Sequence, residues 1–81
     1  MKVHVKFFAM VREKVGQDEM ELELPPHSTT RHFWETLLTR FPALEPYQHQ
    51  SRLAVNRTYI QGDHPLSDGD EITIIPPVSG G

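Results

Sequence analysis

The sequence predicts a two-layer α+β domain, and three observations carry that expectation. Residues 2–8 and 18–24 alternate apolar and polar side chains with the period of a half-buried strand. Residues 30–41 carry an apolar stripe at helical spacing, and short apolar runs follow at 53–55, 59–60 and 71–75. One helix covers only one face of the sheet such strands would build, so the opposite face must be polar or occupied by a partner.

Each element has a local reason. Val3, Val5 and Phe7 share one parity and Lys2, His4, Lys6 and Phe8 the other. Residues 9–15 are closed by Gly16 and read as a short helical turn with a glycine C-cap. In the second strand Met20, Leu22 and Leu24 face inward and Glu19, Glu21 and Glu23 outward, and Pro25-Pro26 ends it because neither nitrogen can donate to a ladder. The helix places Phe33, Trp34, Leu37, Leu38 and Phe41 on its core stripe, with Thr29 as N-cap and Pro42 as stop. Residues 43–52 contain Pro46 and many polar side chains and read as a surface connection with little structure of its own. Asn56-Arg57 marks the turn between Leu53-Ala54-Val55 and Tyr59-Ile60, and Ser67-Asp68-Gly69-Asp70 the turn into the last strand, Glu71 to Ile75.

Composition narrows the chemistry. Eighty-one residues make one domain, and a net charge of −3 gives no support to nucleic-acid binding. The chain has no cysteine, which excludes a disulfide framework, a thiolate zinc site and a cysteine nucleophile. The alternating start does not read as a signal peptide, and no apolar run is long enough for a bilayer span, so a cytoplasmic protein without membrane contact is expected. His4, His27, His32, His49 and His64 lack ligand spacing, so no metal site is expected. Asp63, Asp68, Asp70 and Glu71 lack the spacing of a calcium loop, and Asp68-Gly69 reads as a turn. The sequon Asn56-Arg57-Thr58 is set aside for want of a secretory signal, and neither GxxxxGK[ST] nor GxGxxG is present to cradle a nucleotide.

Two features remain. Phe8 and Ile75 each fall on the solvent parity of their strand, away from Val5 and Phe7 and from Ile72 and Ile74. Either the 9–15 helix or a loop covers them, or they form an apolar docking patch, extended by Tyr59, on the open sheet face. The second feature is the end of the chain, Pro76-Pro77-Val78-Ser79-Gly80-Gly81. Two prolines hold it extended, six residues reach ~20 Å, and two residues without Cβ can pass a narrow channel. A frayed terminus also ends in small residues. The succession of strand, proline pair and diglycine sets this end apart, because it can deliver the Gly81 carboxylate into another protein's active site.

These residues resemble a known family. Leu66-Ser67-Asp68-Gly69-Asp70-Glu71-Ile72, then Ile74-Ile75-Pro76-Pro77-Val78-Ser79-Gly80-Gly81, is similar to the end of the molybdopterin synthase small, sulfur-carrier subunits. Phe7-Phe8-Ala9 with Val11-Arg12-Glu13 and Gly16 resembles that family's first strand and turn. Leu53-Ala54-Val55-Asn56 resembles its middle strand, and Thr29, Phe33, Leu37, Arg40, Phe41 and Pro42 its helix. The resemblance spans the whole chain. Thr30, His32 and Trp34 depart from the pattern, with weaker capping or a repacked helix as the expected consequence.

The resemblance implies a β-grasp, ubiquitin-like fold: a mixed sheet of four to five strands with one main helix on one face, over residues 1–75, and an extended tail, 76–81. It implies that Gly81 is adenylated by a ubiquitin-activating-type adenylyltransferase using ATP and Mg, and that this chain binds no cofactor itself. Gly81 then becomes a thiocarboxylate with sulfur from a donor protein. That sulfur passes to cyclic pyranopterin monophosphate inside the large subunit, in a heterotetramer of two small and two large chains, where the catalytic pocket lies. Pro76 to Gly80 would thread the partner's channel, and Phe8, Tyr59 and Ile75 correspond to the family's partner interface. Three other readings are a modifier joined to lysines through Gly81, a carrier serving another sulfur pathway such as thiamine's, and a binding module with a floppy tail.

Overall fold

The alternating segments pair as strands of one sheet. The computed structural model describes residues 1–77. In chain order the elements are β1 (Lys2–Phe7), α1 (Ala9–Val15), β2 (Glu19–Glu23) and α2 (Thr30–Arg40), then a 3₁₀ helix (Pro42–Tyr47), β3 (Arg52–Val55), β4 (Thr58–Tyr59) and β5 (Glu71–Ile75). The five strands lie in the order β2-β1-β5-β3-β4, with β1 and β5 parallel and the other neighbours antiparallel. One main helix on a mixed sheet whose first and last strands run side by side is the β-grasp arrangement.

The inward parity packs as expected. Val3, Val5, Phe7, Met20, Leu22, Leu53, Val55, Ile72 and Ile74 are buried against Phe33, Trp34 and Leu37 of α2. Each fully buried aliphatic side chain contributes roughly 1.5–3 kcal/mol over its exposed state. Phe33 and Trp34 meet edge to face, with ring centres 5.7 Å apart and planes at 64°. The bulk of Trp34 is thus taken into the core. Gly16 ends α1 in the left-handed region at φ 84°, and its N–H donates to the Arg12 carbonyl at 2.8 Å.

Two expectations are corrected. The segment 43–52 has structure of its own: Pro42 starts the 3₁₀ helix and Leu44 is fully buried in the core. Proline fits a first turn, where its missing N–H is not needed, and one apolar residue among polar ones sets up no periodicity to read. His32, expected to weaken the cap of α2, supports it. Its Nδ1 accepts from the Thr29 N–H at 3.0 Å, which is the reciprocal bond of a capping box normally supplied by a carboxylate or amide.

A second cap comes from far along the chain. Asp63 Oδ1 accepts from the Arg31 N–H at 2.9 Å and the Thr30 hydroxyl at 3.2 Å. The Arg31 N–H, foremost, then hydroxyl bonds and the Arg31 charge, hold the Asp63 carboxyl below its ordinary value. A depressed carboxylate stabilises the fold above its unfolded pKa and loses that contribution as pH falls through the folded one. The Asp63→Asn variant is therefore expected to be less stable than the parent near neutrality, the gap closing below pH about 4. Urea titrations at several pH values check this.

The β3–β4 hairpin turns through Asn56 and Arg57, at φ 50° and 70°. Two central residues with positive φ suit a primed hairpin turn, in which glycine is preferred at the second. Asn56 is additionally held, its Oδ1 accepting from Glu71 N–H and its amide donating to Asp70, both at 2.9 Å. Arg57 is exposed, so Arg57→Gly is expected to stabilise the domain by about 1 kcal/mol, read as a higher denaturation midpoint.

Candidate functional site

The open face of the sheet divides into two halves. Toward the start of β5 it is polar and internally paired, with Lys6 Nζ 3.3 Å from Glu71 Oε2 and His4 Nε2 3.3 Å from Glu19 Oε1. Toward the end of β5 it is apolar. Thr73, Ala54 and Tyr59 are successive cross-strand neighbours, and Ile75 stands opposite Arg52. Phe8 continues β1 in extended conformation (φ −132°, ψ 154°), which carries the open-face parity one residue past the strand and sets Phe8 beside Ile75.

The structure therefore brings Phe8, Ile75 and Tyr59 onto one face. Helix α1 does not cover Phe8, which is 48 % exposed; Tyr59 is 54 % exposed and Ile75 half-buried. Pro76 and Pro77 continue from β5, half-buried, so the tail is rooted between Phe8 and Arg52 in the middle of the sheet. Val78, Ser79, Gly80 and Gly81, to which the sequence assigned the reacting end, lie outside the described residues.

Two surface residues escaped the sequence reading. Met10, the second residue of α1, is 39 % exposed close behind Phe8 in the chain. Arg52 sits diagonally from Tyr59, with its guanidinium carbon 4.2 Å from the ring centre. Its signal was present: the Asn56-Arg57 turn pairs Val55 with Thr58, hence Ala54 with Tyr59, and puts Arg52 on the same face.

A cleft of about 720 Å³ opens over Trp34, Leu53 and Ile60; Arg52 lines it too, but none of Phe8, Tyr59, Ile75, Pro76 or Pro77 does. Among the described residues no group of three or more histidine or acidic side chains could hold a metal ion, and no helix is long and apolar enough to cross a membrane. The sheet thus presents an apolar face, and the chain leaves it at the middle strand through Pro76 and Pro77.

The ThiS family model matches residues 5–81. The chain belongs to the ThiS family. Within that family it stands with the molybdopterin synthase sulfur carrier subunits. It is 41 % identical over 81 residues to that subunit of Escherichia coli, covering 98 % of this chain and 99 % of the other. Among solved structures it is similar to a Pyrococcus furiosus protein assigned as molybdopterin converting factor subunit 1. The TM-score there is 0.86 at 35 % identity, over 96 % of this chain and 99 % of that one. It is also similar to a chain in the complex of subunits 1 and 2 of the molybdopterin-converting factor from Helicobacter pylori. That match has TM-score 0.73 at 26 % identity and covers 100 % of both chains. These likenesses bear out the ubiquitin-like β-grasp fold.

The two faces of β5 and its neighbours give a direct test. Phe8→Ala is expected to cost less than about 1 kcal/mol of stability, as an exposed substitution. Ile74→Ala, on the buried parity, is expected to cost about 2–5 kcal/mol. Chemical denaturation of the two variants checks the assignment, and a comparable loss in both would put Phe8 in the core.

Proposed function

We propose that this chain is the sulfur-donating small subunit of a molybdopterin synthase and that its reacting atom is the Gly81 carbonyl carbon. The observation that carries the reading is the rooting of the tail at the centre of the sheet, inside the Phe8, Tyr59 and Ile75 face. Membership among the sulfur carrier subunits supports it. The Helicobacter pylori relative, found in complex with subunit 2, supports a large-subunit partner.

The chemistry follows from what a carboxylate lacks. Its resonance and charge resist nucleophiles, so the Gly81 carboxylate attacks the α-phosphorus of ATP on an adenylyltransferase that also holds Mg, and pyrophosphate leaves. The acyl-adenylate formed has AMP as a good leaving group. A sulfur nucleophile displaces AMP and the end becomes a thiocarboxylate, itself a nucleophile near neutral pH. Pro76 to Gly80 pass it through the partner's channel, and its sulfur displaces oxygen from a side-chain carbon of cyclic pyranopterin monophosphate. Water then cleaves the Gly81 acyl–sulfur bond, leaving the sulfur on the pterin toward the dithiolene of molybdopterin and returning Gly81 as a carboxylate. The domain (1–75) docks and the tail (76–81) delivers. Nucleotide, metal and the proton-handling groups belong to the partners, in a cytosolic assembly of two small and two large chains.

Incubation of the protein with its adenylyltransferase, ATP, Mg and a sulfur source is expected to add the mass of one oxygen-to-sulfur exchange, located at Gly81. A chain lacking Gly81 is expected to show none. An unchanged carboxylate under these conditions overturns the proposal, and isopeptide-linked conjugates that vanish on deleting Gly81 would replace it with protein modification.

A further inference from the structure

We infer that Arg52, held over Tyr59, is the charge-reading residue of the docking face and takes an aspartate or glutamate side chain of the large-subunit partner. The inference rests on the docking role proposed for the face of Phe8, Tyr59 and Ile75, and adds to it a requirement on the partner's chemistry.

Placement comes first. Arg52 is the cross-strand partner of Ile75, the last residue of β5, so it borders the root of the tail opposite Phe8. Its guanidinium lies 4.2 Å from the centre of the Tyr59 ring, within the range in which a cation is attracted to an aromatic face. That contact restricts a long side chain before any partner arrives, so less rotamer freedom is lost on binding.

The second observation is what Arg52 lacks. Lys6 is paired with Glu71, His4 with Glu19, and Arg12 with Asp18. Among the described residues no carboxylate lies within ion-pairing distance of Arg52, and no acceptor takes its guanidinium N–H groups. With its carbon over the ring, the guanidinium keeps its N–H donors for a partner, a planar fork that matches a carboxylate in two parallel bonds. The surroundings favour a protein carboxylate over a free anion. Phe8, Ile75 and Tyr59 are apolar and would exclude water around such a pair once a complementary surface closed on them, and a desolvated, ringed arginine is the common form of an interface hot spot. A cation here also discriminates, because a partner presenting lysine or arginine at this point would be repelled.

The test measures affinity of the full chain for the large subunit encoded in the same genome, by titration calorimetry at low and moderate salt. Arg52→Ala is expected to weaken binding about 10-fold and Arg52→Glu about 100-fold or more, with Arg52→Lys between the parent and Arg52→Ala. The parent's affinity is expected to fall with salt more steeply than that of Arg52→Ala. Thermal melts close to the parent's confirm that the exposed substitutions leave the fold intact. If Arg52→Glu binds like the parent while Phe8→Ala does not, the inference is wrong and the docking face stands. If Arg52→Glu and Phe8→Ala both bind like the parent, the docking face itself is misplaced and the inference falls with it. Weakening that is equal in Arg52→Ala and Arg52→Glu, with no change in salt dependence, would reduce Arg52 to a packing residue and likewise overturn the assignment.

Discussion

Strand β5 is hydrogen-bonded on both sides, to β1 in parallel and to β3 antiparallel, and the rest of the molecule depends on that position. A strand at the edge could fray or slip, and whatever followed it would inherit the motion. A strand between two ladders, with Ile72 and Ile74 fully buried beneath it, has its register fixed by both neighbours and by the core. A slip of one residue would expose both isoleucines and bury Glu71 and Thr73. The chain beyond Ile75 therefore leaves from a fixed point in a fixed direction, toward the two prolines that prolong it.

The two ends of β5 are built in opposite ways. Entry is polar: Asp68 accepts from Lys2 N–H at 2.7 Å, Asp70 from Ser67 N–H at 2.8 Å, and the Asn56 side chain bridges Asp70 and Glu71. These short bonds tie the turn before β5 to β1 and to the β3–β4 hairpin. The exit is apolar and carries the guanidinium of Arg52 over the Tyr59 ring. Polar bonds that need no partner secure the fold at one pole, and surface that gains from a partner lies at the other.

Much of this was legible in the sequence, for identifiable reasons. Alternation over residues 2–8 and 18–24 fixed which side chains enter the core, and the same parity exposed Phe8 and Ile75 as exceptions. Apolar spacing and Pro42 bounded α2 to within a residue. The 3₁₀ helix was not legible, because Leu44 is a single anchor without a repeat. Asp63 as a cap for α2 was not legible either, because the bond joins positions far apart in sequence through tertiary folding. Arg52 lay in between: its face followed from the hairpin register, but its contact with Tyr59 depends on rotamers that no pattern records.

The parallel ladder between β1 and β5 bears on how the molecule is made. β1 leaves the ribosome ahead of β5, with Val3, Val5 and Phe7 exposed, and the strand that completes its pairing emerges after every other described element. Non-local pairing of this kind is slow to form and leaves early segments waiting. A chain broken off before β5 has neither the middle strand nor its two buried isoleucines, and such fragments remain open to degradation. The order of the sheet thereby links the folded state to the synthesis of the residues that lead into the tail, so a chain that has folded has been made at least that far.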